Sequence, residues 1–362
     1  MKYKYQQKLQ KRKEAGSLRS LSLFTGFADF FSNDYLGLAQ NNHPECFGTG
    51  STGSRLLSGN TEEAMETEDF LADFFGAEAA LIFNSGYDAN VGLFASIPQR
   101  GDTVLYDELI HASVRDGIRL SHAKAYAFRH NDAADLERKI QKAEGAVFVA
   151  VESVYSMDGD LAPLEEMAEI CLKYEALLIV DEAHAGGIRG SEGRGLSEEL
   201  HLTDKIFARV FTFGKAYGTH GAAVLASEEI KDYLVNFARS FIYTTALPAF
   251  QYTMIRSQIQ KSREDYDRIR LQENIAYFRS VLKENISLSD DRSPIQVILV
   301  PGVQQAVSLA EKLQAHRLAV KAILSPTVPV GQERLRICLH AYNTKGEIDL
   351  LAKIIRENFC LV

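Results

Sequence analysis

The amino-acid sequence predicts an α/β protein: a mostly parallel sheet in a large domain, then a smaller α+β C-terminal domain. Three observations predict it. From about residue 79, short apolar runs alternate with amphipathic segments. Several runs, such as Leu177-Leu178-Ile179-Val180, are continuously apolar, as strands buried on both faces are. After Pro248 the rhythm gives way to a long polar helical stretch and a short mixed unit. A βαβα alternation implies a sheet covered by helices on both sides.

The elements follow in order. Residues 3–15 are charged and helix-friendly and predict an amphipathic N-terminal helix. Ala79–Phe83 is read as a strand and Tyr87–Ile97 as a helix. Thr103–Tyr106 is a strand, His111–Ser121 a helix, Lys124–Phe128 a strand with alternating aromatics, and Ala133–Lys142 a helix. Ala146–Val151 is a strand. Leu164–Tyr174 is a helix because Met167, Ile170, Cys171 and Tyr174 recur at i, i+3, i+4 and i+7. Leu177–Val180, Ile206–Thr212 and Ala222–Leu225 complete the strands of the large domain. Residues 250–283 read as a helical connector. Ile295–Val300, Leu318–Ile323 and Arg334–Leu339 are strands of the small domain, with helices at Val303–His316 and Thr344–Asn358. The expected division is a helix and arm at 1–33, a large domain at 34–262 and a small one at 263–362.

Bulk properties exclude several classes. The chain has 362 residues, 46% apolar and 24% charged, as in ordinary globular proteins. A net charge of −8 argues against nucleic acid or an anionic membrane as partner. The four cysteines (Cys46, Cys171, Cys338, Cys360) show no CxxC spacing, which speaks against a metal or redox site and suits a reducing cytoplasm. The N-terminus lacks an apolar signal region, and no window of about 18 apolar residues suggests a membrane span.

Two motifs mislead. Gly48-Thr49-Gly50-Ser51-Thr52-Gly53 spells GxGxxG, but no strand precedes it, and Asp73 falls inside the helical Glu68–Phe75 stretch rather than closing a strand. Asp181-Glu182-Ala183-His184 spells the DEAH of an ATP-driven nucleic-acid remodeller. That reading requires an upstream phosphate loop ending in GK[ST]. Gly53 is followed by Ser54, and Gly214-Lys215 lies downstream and is followed by Ala216.

The same residues support another chemistry. Lys215 follows an apolar run that breaks on Gly214, and Asp181 follows Leu177–Val180. A lysine able to form a Schiff base and an aspartate able to hold a pyridinium nitrogen are the two groups a pyridoxal phosphate enzyme most needs. Open α/β sheets bind ligands at this end of their strands. Taken alone, Asp181 would also suit a helix cap. His184 is placed to bond the phenolic oxygen of the ring or to serve structurally. Ser85-Gly86-Tyr87 joins a strand to a helix N-terminus, the form of a phosphate cup, and Thr212 lies three residues before Lys215. His111 is a candidate to stack on the pyridine face, or a helix cap. Ser156 is placed to reach the phenolic oxygen or the substrate, and Glu152 is buried in pattern.

Taken together, these residues resemble the α-oxoamine synthase family of pyridoxal phosphate enzymes of fold type I. The resemblance runs from about residue 9 to residue 356. Its motifs are Ser32-Asn33-Asp34-Tyr35-Leu36-Gly37-Leu38, Gly48–Arg55, Ser85-Gly86-Tyr87-Asp88-Ala89-Asn90, His111-Ala112-Ser113, Ser156-Met157-Asp158-Gly159-Asp160, Asp181–His184 and Thr212-Phe213-Gly214-Lys215, in the family's order. It implies a homodimer with its active site at the interface, condensing an amino acid with an acyl-CoA and releasing CO2. It implies that Lys215, His111 and Asp181 are catalytic, and that Thr244 and Thr245 reach the neighbouring chain's phosphate. Phe237-Ala238-Arg239, Ser293-Pro294-Ile295-Gln296 and Pro326-Thr327-Val328-Pro329 look most like the biotin-pathway member, which joins L-alanine to a pimeloyl thioester. By that comparison Arg19 faces the acyl substrate, and Asn33 and Arg336 the amino-acid carboxylate. Leu324 stands where members often have arginine, and the segment from Arg19 to Asn33 is short. Glycine with acetyl-CoA, or a serine palmitoyltransferase-like reaction, are the alternatives within the family. A catalytically inactive protein of the same fold is the alternative outside enzymology.

Overall fold

In the computed structural model, residues 4–18, 23–40, 49–282 and 289–359 are described. They form two compact units. One combines the described part of residues 1–35 with 157–160 and the chain from Ile269, and the other holds Leu36–Ser156 and Leu161–Arg268.

The smaller unit begins with the helix Lys4–Glu14 and the two-residue strand β1, Ala28–Asp29. The larger unit carries strands β2 (Ala79–Phe83), β3 (Thr103–Asp107), β4 (Lys124–Phe128), β5 (Val147–Glu152), β6 (Leu177–Asp181), β7 (Ala208–Thr212) and β8 (Ala222–Ala226). They form one sheet in the order β2-β8-β7-β6-β5-β3-β4. β8 runs antiparallel to both neighbours, and every other pairing is parallel. The continuous apolar runs have their cause here. Leu81, Val104, Phe148, Ile179 and Val210 pack on Ala89, Leu93 and Phe94 of the Gly86–Ser96 helix. The alternate residues Val149, Val151, Leu178 and Val180 pack on Met167, Ile170 and Cys171 of the Leu164–Lys173 helix. Each such side chain contributes about 1.5–3 kcal/mol on full burial. β4 is one of the two edge strands, and there Lys124 and Tyr126 are exposed.

Parallel pairing puts the strand ends at one edge. Glu152 of β5 pairs with Asp181 of β6, and Asp181 with Val210 of β7. Thr212, two residues on, ends β7. The polar residues that close the apolar runs therefore collect at the carboxyl edge of the sheet.

The smaller unit adds β9 (Ile295–Leu299), β10 (Leu318–Ala319), β11 (Lys321–Ile323) and β12 (Arg334–Cys338), with helices Val303–Ala315 and Lys345–Phe359. β11-β12-β9 is an antiparallel sheet, and β10 pairs in parallel with β1. The single strand expected at 318–323 is thus two, because the chain changes partner at Val320. The single connector expected at 250–283 is also two helices, Ala249–Ser262 and Asp265–Leu282. No glycine or proline marks that break. Instead the buried Arg268 guanidinium donates to the carbonyls of Ser262 and, at 3.0 Å, Arg263, which the broken helix leaves open.

Candidate active site

The expected phosphate cup lies where β2 turns into the Gly86–Ser96 helix. Ser85 is the N-cap: its hydroxyl oxygen accepts from the Asp88 N–H at 3.1 Å and donates to Asp88 Oδ2 at 2.8 Å. The N–H groups of Gly86 and Tyr87 stand ahead of the helix ladder and suit an anion. Gly86 is required by close approach, since a Cβ there would lie 2.4 Å from Thr212 Cγ2. Thr212 Oγ1 is buried without a partner among the described residues. Leaving such a group unpaired costs about 1–3 kcal/mol, which a bound phosphate oxygen would relieve. Tyr87 contributes its backbone only, because its hydroxyl donates to Asp116 Oδ2 at 2.6 Å.

Asp181 is buried at the end of β6. Its Oδ1 accepts from the Ala183 N–H at 2.9 Å and its Oδ2 from Asn90 Nδ2 at 2.8 Å. His184, on the same turn, places Nε2 2.9 Å from Lys215 Nζ. The turn carrying Lys215 is held by hydrogen bonds from Gly218 to Lys215 and from Thr219 to Phe213. Gly218 has φ +61°, and a Cβ there would meet the Ala39 nitrogen at 2.2 Å. His111 caps the Ala112–Leu120 helix through Nδ1 alone, which accepts from the Ser113 N–H at 3.2 Å and leaves the faces of the ring uninvolved in the cap. Capping and stacking, alternatives in the sequence, are compatible in one residue.

Glu152 is the second carboxyl group of the site, 3% exposed. Burial, reinforced by the Asp181 charge, pushes its pKa up to about 8, against the pull of Lys215 and of the His111 and Ser156 N–H groups. Ser156 enters the site through that N–H. Thr244 and Thr245 lie beside the cup of their own chain: Asn84 Nδ2 donates to Thr244 Oγ1 at 3.2 Å and to the Thr245 carbonyl at 2.9 Å.

The DEAH run is accounted for differently from an ATPase motif. Glu182 is fully buried and accepts from the Ser197 N–H at 2.7 Å, the Leu196 N–H at 3.1 Å and the Ser153 hydroxyl at 2.7 Å. It anchors the loop after β6.

In the smaller unit Arg336 Nη2 donates to Asn33 Oδ1 at 3.0 Å, and Nη1 lies 3.0 Å from Cys338 Sγ. Tyr35 also donates to Asn33 Oδ1, at 3.0 Å. Arg334, on the same face, is 3% exposed and ion-paired with Asp158. β12 is the central strand of its sheet, so neither arginine sits on a strand edge. Arg19 and Gly48 lie outside the described residues.

Sequence reasoning assigned no role to Asn84, Asn90 or Ser113. The signal available for Asn90 was an amide on the apolar stripe of a helix, next to Ala89 and Leu93.

The residues present fit pyridoxal phosphate. An unpaired buried hydroxyl and a cradle that excludes a Cβ meet at the phosphate cup, and an amine, an imidazole and a buried carboxylate stand beside it. Fold and site together define a pyridoxal phosphate enzyme of fold type I. The family model for aminotransferase class I and II matches residues 26–355. An 8-amino-7-oxononanoate synthase of Emericella nidulans is 42% identical over 96% of this chain and 93% of its own. One of Lysinibacillus sphaericus is 37% identical over 99% and 98%. Among solved structures, the 8-amino-7-oxononanoate synthase of Francisella tularensis matches with TM-score 0.78 and 31% identity over 92% of this chain and 98% of that one. Sphingomonas wittichii serine palmitoyltransferase matches with TM-score 0.86 and 30% identity over 91% and 86%. The chain belongs to the aminotransferase class I and II family, and within it to the α-oxoamine synthases.

Proposed function

We propose that the protein joins L-alanine to a pimeloyl thioester, releasing CO2 and the thiol and giving 8-amino-7-oxononanoate, a step of biotin biosynthesis. The observation that carries the choice of reaction is the similarity to synthases of that name at 42% and 37% identity over nearly the whole chain. The serine palmitoyltransferase likeness has the higher TM-score but only 30% identity. Backbone likeness is shared across such a family, whereas substrate choice depends on side chains.

Bound pyridoxal phosphate supplies an electron sink for negative charge at the amino acid's α carbon. The chain's own residues do the rest. The Gly86 and Tyr87 N–H groups and the Thr212 hydroxyl would hold the phosphate. The Asp181 carboxylate, which accepts from two N–H donors, would hold the ring nitrogen in its protonated form. The Lys215 amine takes the α-proton, with His184 Nε2 at 2.9 Å to orient it. The α carbon then bonds to the thioester carbonyl carbon, the C–S bond breaks and the thiol leaves. The original carboxylate departs as CO2, and a proton returns to the α carbon. Arg336 offers a guanidinium fork to the amino acid's carboxylate, a geometry an ammonium does not reproduce.

The test is purified protein with pyridoxal phosphate, a panel of alanine, glycine and serine, and a panel of acyl thioesters, read by free-thiol release. Alanine with the pimeloyl thioester should give the highest kcat/KM. Highest turnover with serine and a long-chain acyl-CoA would overturn the reading. In the same assay Arg336→Lys should raise the alanine KM at least about tenfold, the loss of one charge-assisted hydrogen bond. Alanine binding like the wild type, read from the cofactor's spectral change, would place the carboxylate anchor elsewhere.

The reading includes a homodimer with shared sites. Asn84 occupies Thr244 within its own chain, whereas Thr245 is exposed, which suits a reach to the partner. Thr245→Ala should weaken cofactor binding by about 1–3 kcal/mol. Lys215→Ala chains mixed with chains inactivated at Thr245 should recover partial activity in hybrid dimers. No recovery in verified heterodimers would mean that each site is built from one chain. A cytoplasmic location goes with this reading. The cysteines suit a reducing compartment, and among the described residues no helix is long and apolar enough to cross a membrane.

A further inference from the structure

We propose that Asn90 and Ser113 are positioning residues that tie Asp181 to His111 and hold the imidazole as the neutral tautomer with its proton on Nε2. This rests on Asp181 and His111 belonging to the cofactor site described above.

The direction of every hydrogen bond in this chain of four side chains follows from one end. Ionised Asp181 can only accept, so the Asn90 atom 2.8 Å from its Oδ2 is the amide nitrogen. That nitrogen has a second hydrogen, and Ser113 Oγ lies 3.0 Å away to receive it. The Ser113 hydroxyl therefore keeps its own hydrogen for another acceptor, and His111 Nδ1 stands at 2.7 Å. The Ser113 backbone N–H points at the same nitrogen from 3.2 Å. A ring nitrogen that receives two donors carries no proton, so the proton is on Nε2 and the ring is uncharged. An imidazolium, or a proton on Nδ1, would face the Ser113 N–H with another N–H. It would also leave the serine hydrogen without a target.

Burial makes the arrangement firm. Asn90 is 2% exposed and Ser113 fully buried, so water does not substitute for either. Asn90 Oδ1 has no partner among the described residues. A helix interior that keeps a half-satisfied amide, where leucine would pack without an orphan, is retaining it for its N–H groups. Four charged or titratable groups face His111. Asp181 from β6 and Asp116 from its own helix favour its protonation. Lys215, after β7, and desolvation of the ring oppose it. Glu152, at the end of β5, takes the His111 backbone N–H. Desolvation is the largest influence, and the net effect lowers the His111 pKa, in accord with the hydrogen-bond directions. Functionally, a neutral ring can lie on a pyridine whose nitrogen is already cationic, while an imidazolium would oppose that charge.

The experiment uses 15N-histidine-labelled full-length protein with pyridoxal phosphate, with His111 assigned by comparison with His111→Gln. In the wild type, His111 Nδ1 should resonate as an unprotonated nitrogen, and Nε2 as a protonated one, between pH 6 and pH 8. In Ser113→Ala and Asn90→Leu the two signals should average, and the His111 midpoint should rise by about one pH unit, the scale of one hydrogen bond. Ser113→Thr, which keeps the hydroxyl, should restore the wild-type pattern. A protonated Nδ1 in the wild type at pH 7 overturns the proposal. So do folded variants, checked by thermal melting, whose His111 signals do not change. If neither variant folds, the wild-type signals alone decide. No substrate is present, so a wrong choice of amino acid or thioester would leave this result untouched.

Discussion

Replacing Lys215 with alanine should lower kcat by about 10⁴ or more, the upper end of what a positioned acid–base group contributes. On the proposed reading the side chain is both the anchor for the cofactor's aldehyde and the base for the α-proton, so its removal takes away both functions at once. Lys205 lies in the short Thr203–Lys205 helix, and Lys231 is drawn to Glu68 at 3.8 Å. The phosphate cup does not involve Lys215, so the variant should still bind pyridoxal phosphate weakly through the Gly86, Tyr87 and Thr212 contacts. Borohydride should fix the cofactor to the peptide containing Lys215 in the wild type and to no peptide in the variant, as read by mass spectrometry. Labelling at Lys205 or Lys231, or a variant within tenfold of wild-type turnover, would remove Lys215 from both roles.

The parts of this site that were legible in the sequence are those where chemistry and local structure coincide. A continuous apolar run ending in Asp181, and another ending in Thr212 and leading to Gly214-Lys215, announce buried parallel strands and place their polar ends together. Ser85-Gly86 after an apolar strand announces a capped helix N-terminus for the same reason. What stayed hidden depends on pairing between distant segments. β12 looks like any alternating strand, and only the folded sheet places it between β11 and β9, with Arg334 buried and Arg336 half-buried. The break after Ser262 is capped by a side chain, Arg268, and marked by no glycine or proline. The link from Asp181 through Asn90 and Ser113 spans three elements, so no local pattern records it.

Asp181→Asn should lower kcat by about 10² or more with little change in shape. Breaking a buried charge pair typically costs about 3–5 kcal/mol, and each 1.4 kcal/mol is a tenfold change in rate. The hydrogen bonds around the residue sharpen the expectation. The carboxylate accepts from two donors, the Ala183 N–H on Oδ1 and Asn90 Nδ2 on Oδ2. An amide has one acceptor. If its oxygen stays on Ala183, its NH2 group meets the Asn90 NH2 group, and Asn90 must turn over to present Oδ1. That turn withdraws the donor from Ser113 Oγ and frees the serine hydroxyl to rotate, so His111 loses the fixed donor on Nδ1. One substitution thus removes the partner of the ring nitrogen and loosens the stacking imidazole. The loss should appear in kcat, with the thioester KM changed far less, because neither group is invoked to bind the acyl chain. The cofactor's absorbance should titrate at a different pH from the wild type. A variant within a factor of three of wild-type kcat, with an unchanged absorbance titration, would show that the Asp181 carboxylate only holds the β6 turn.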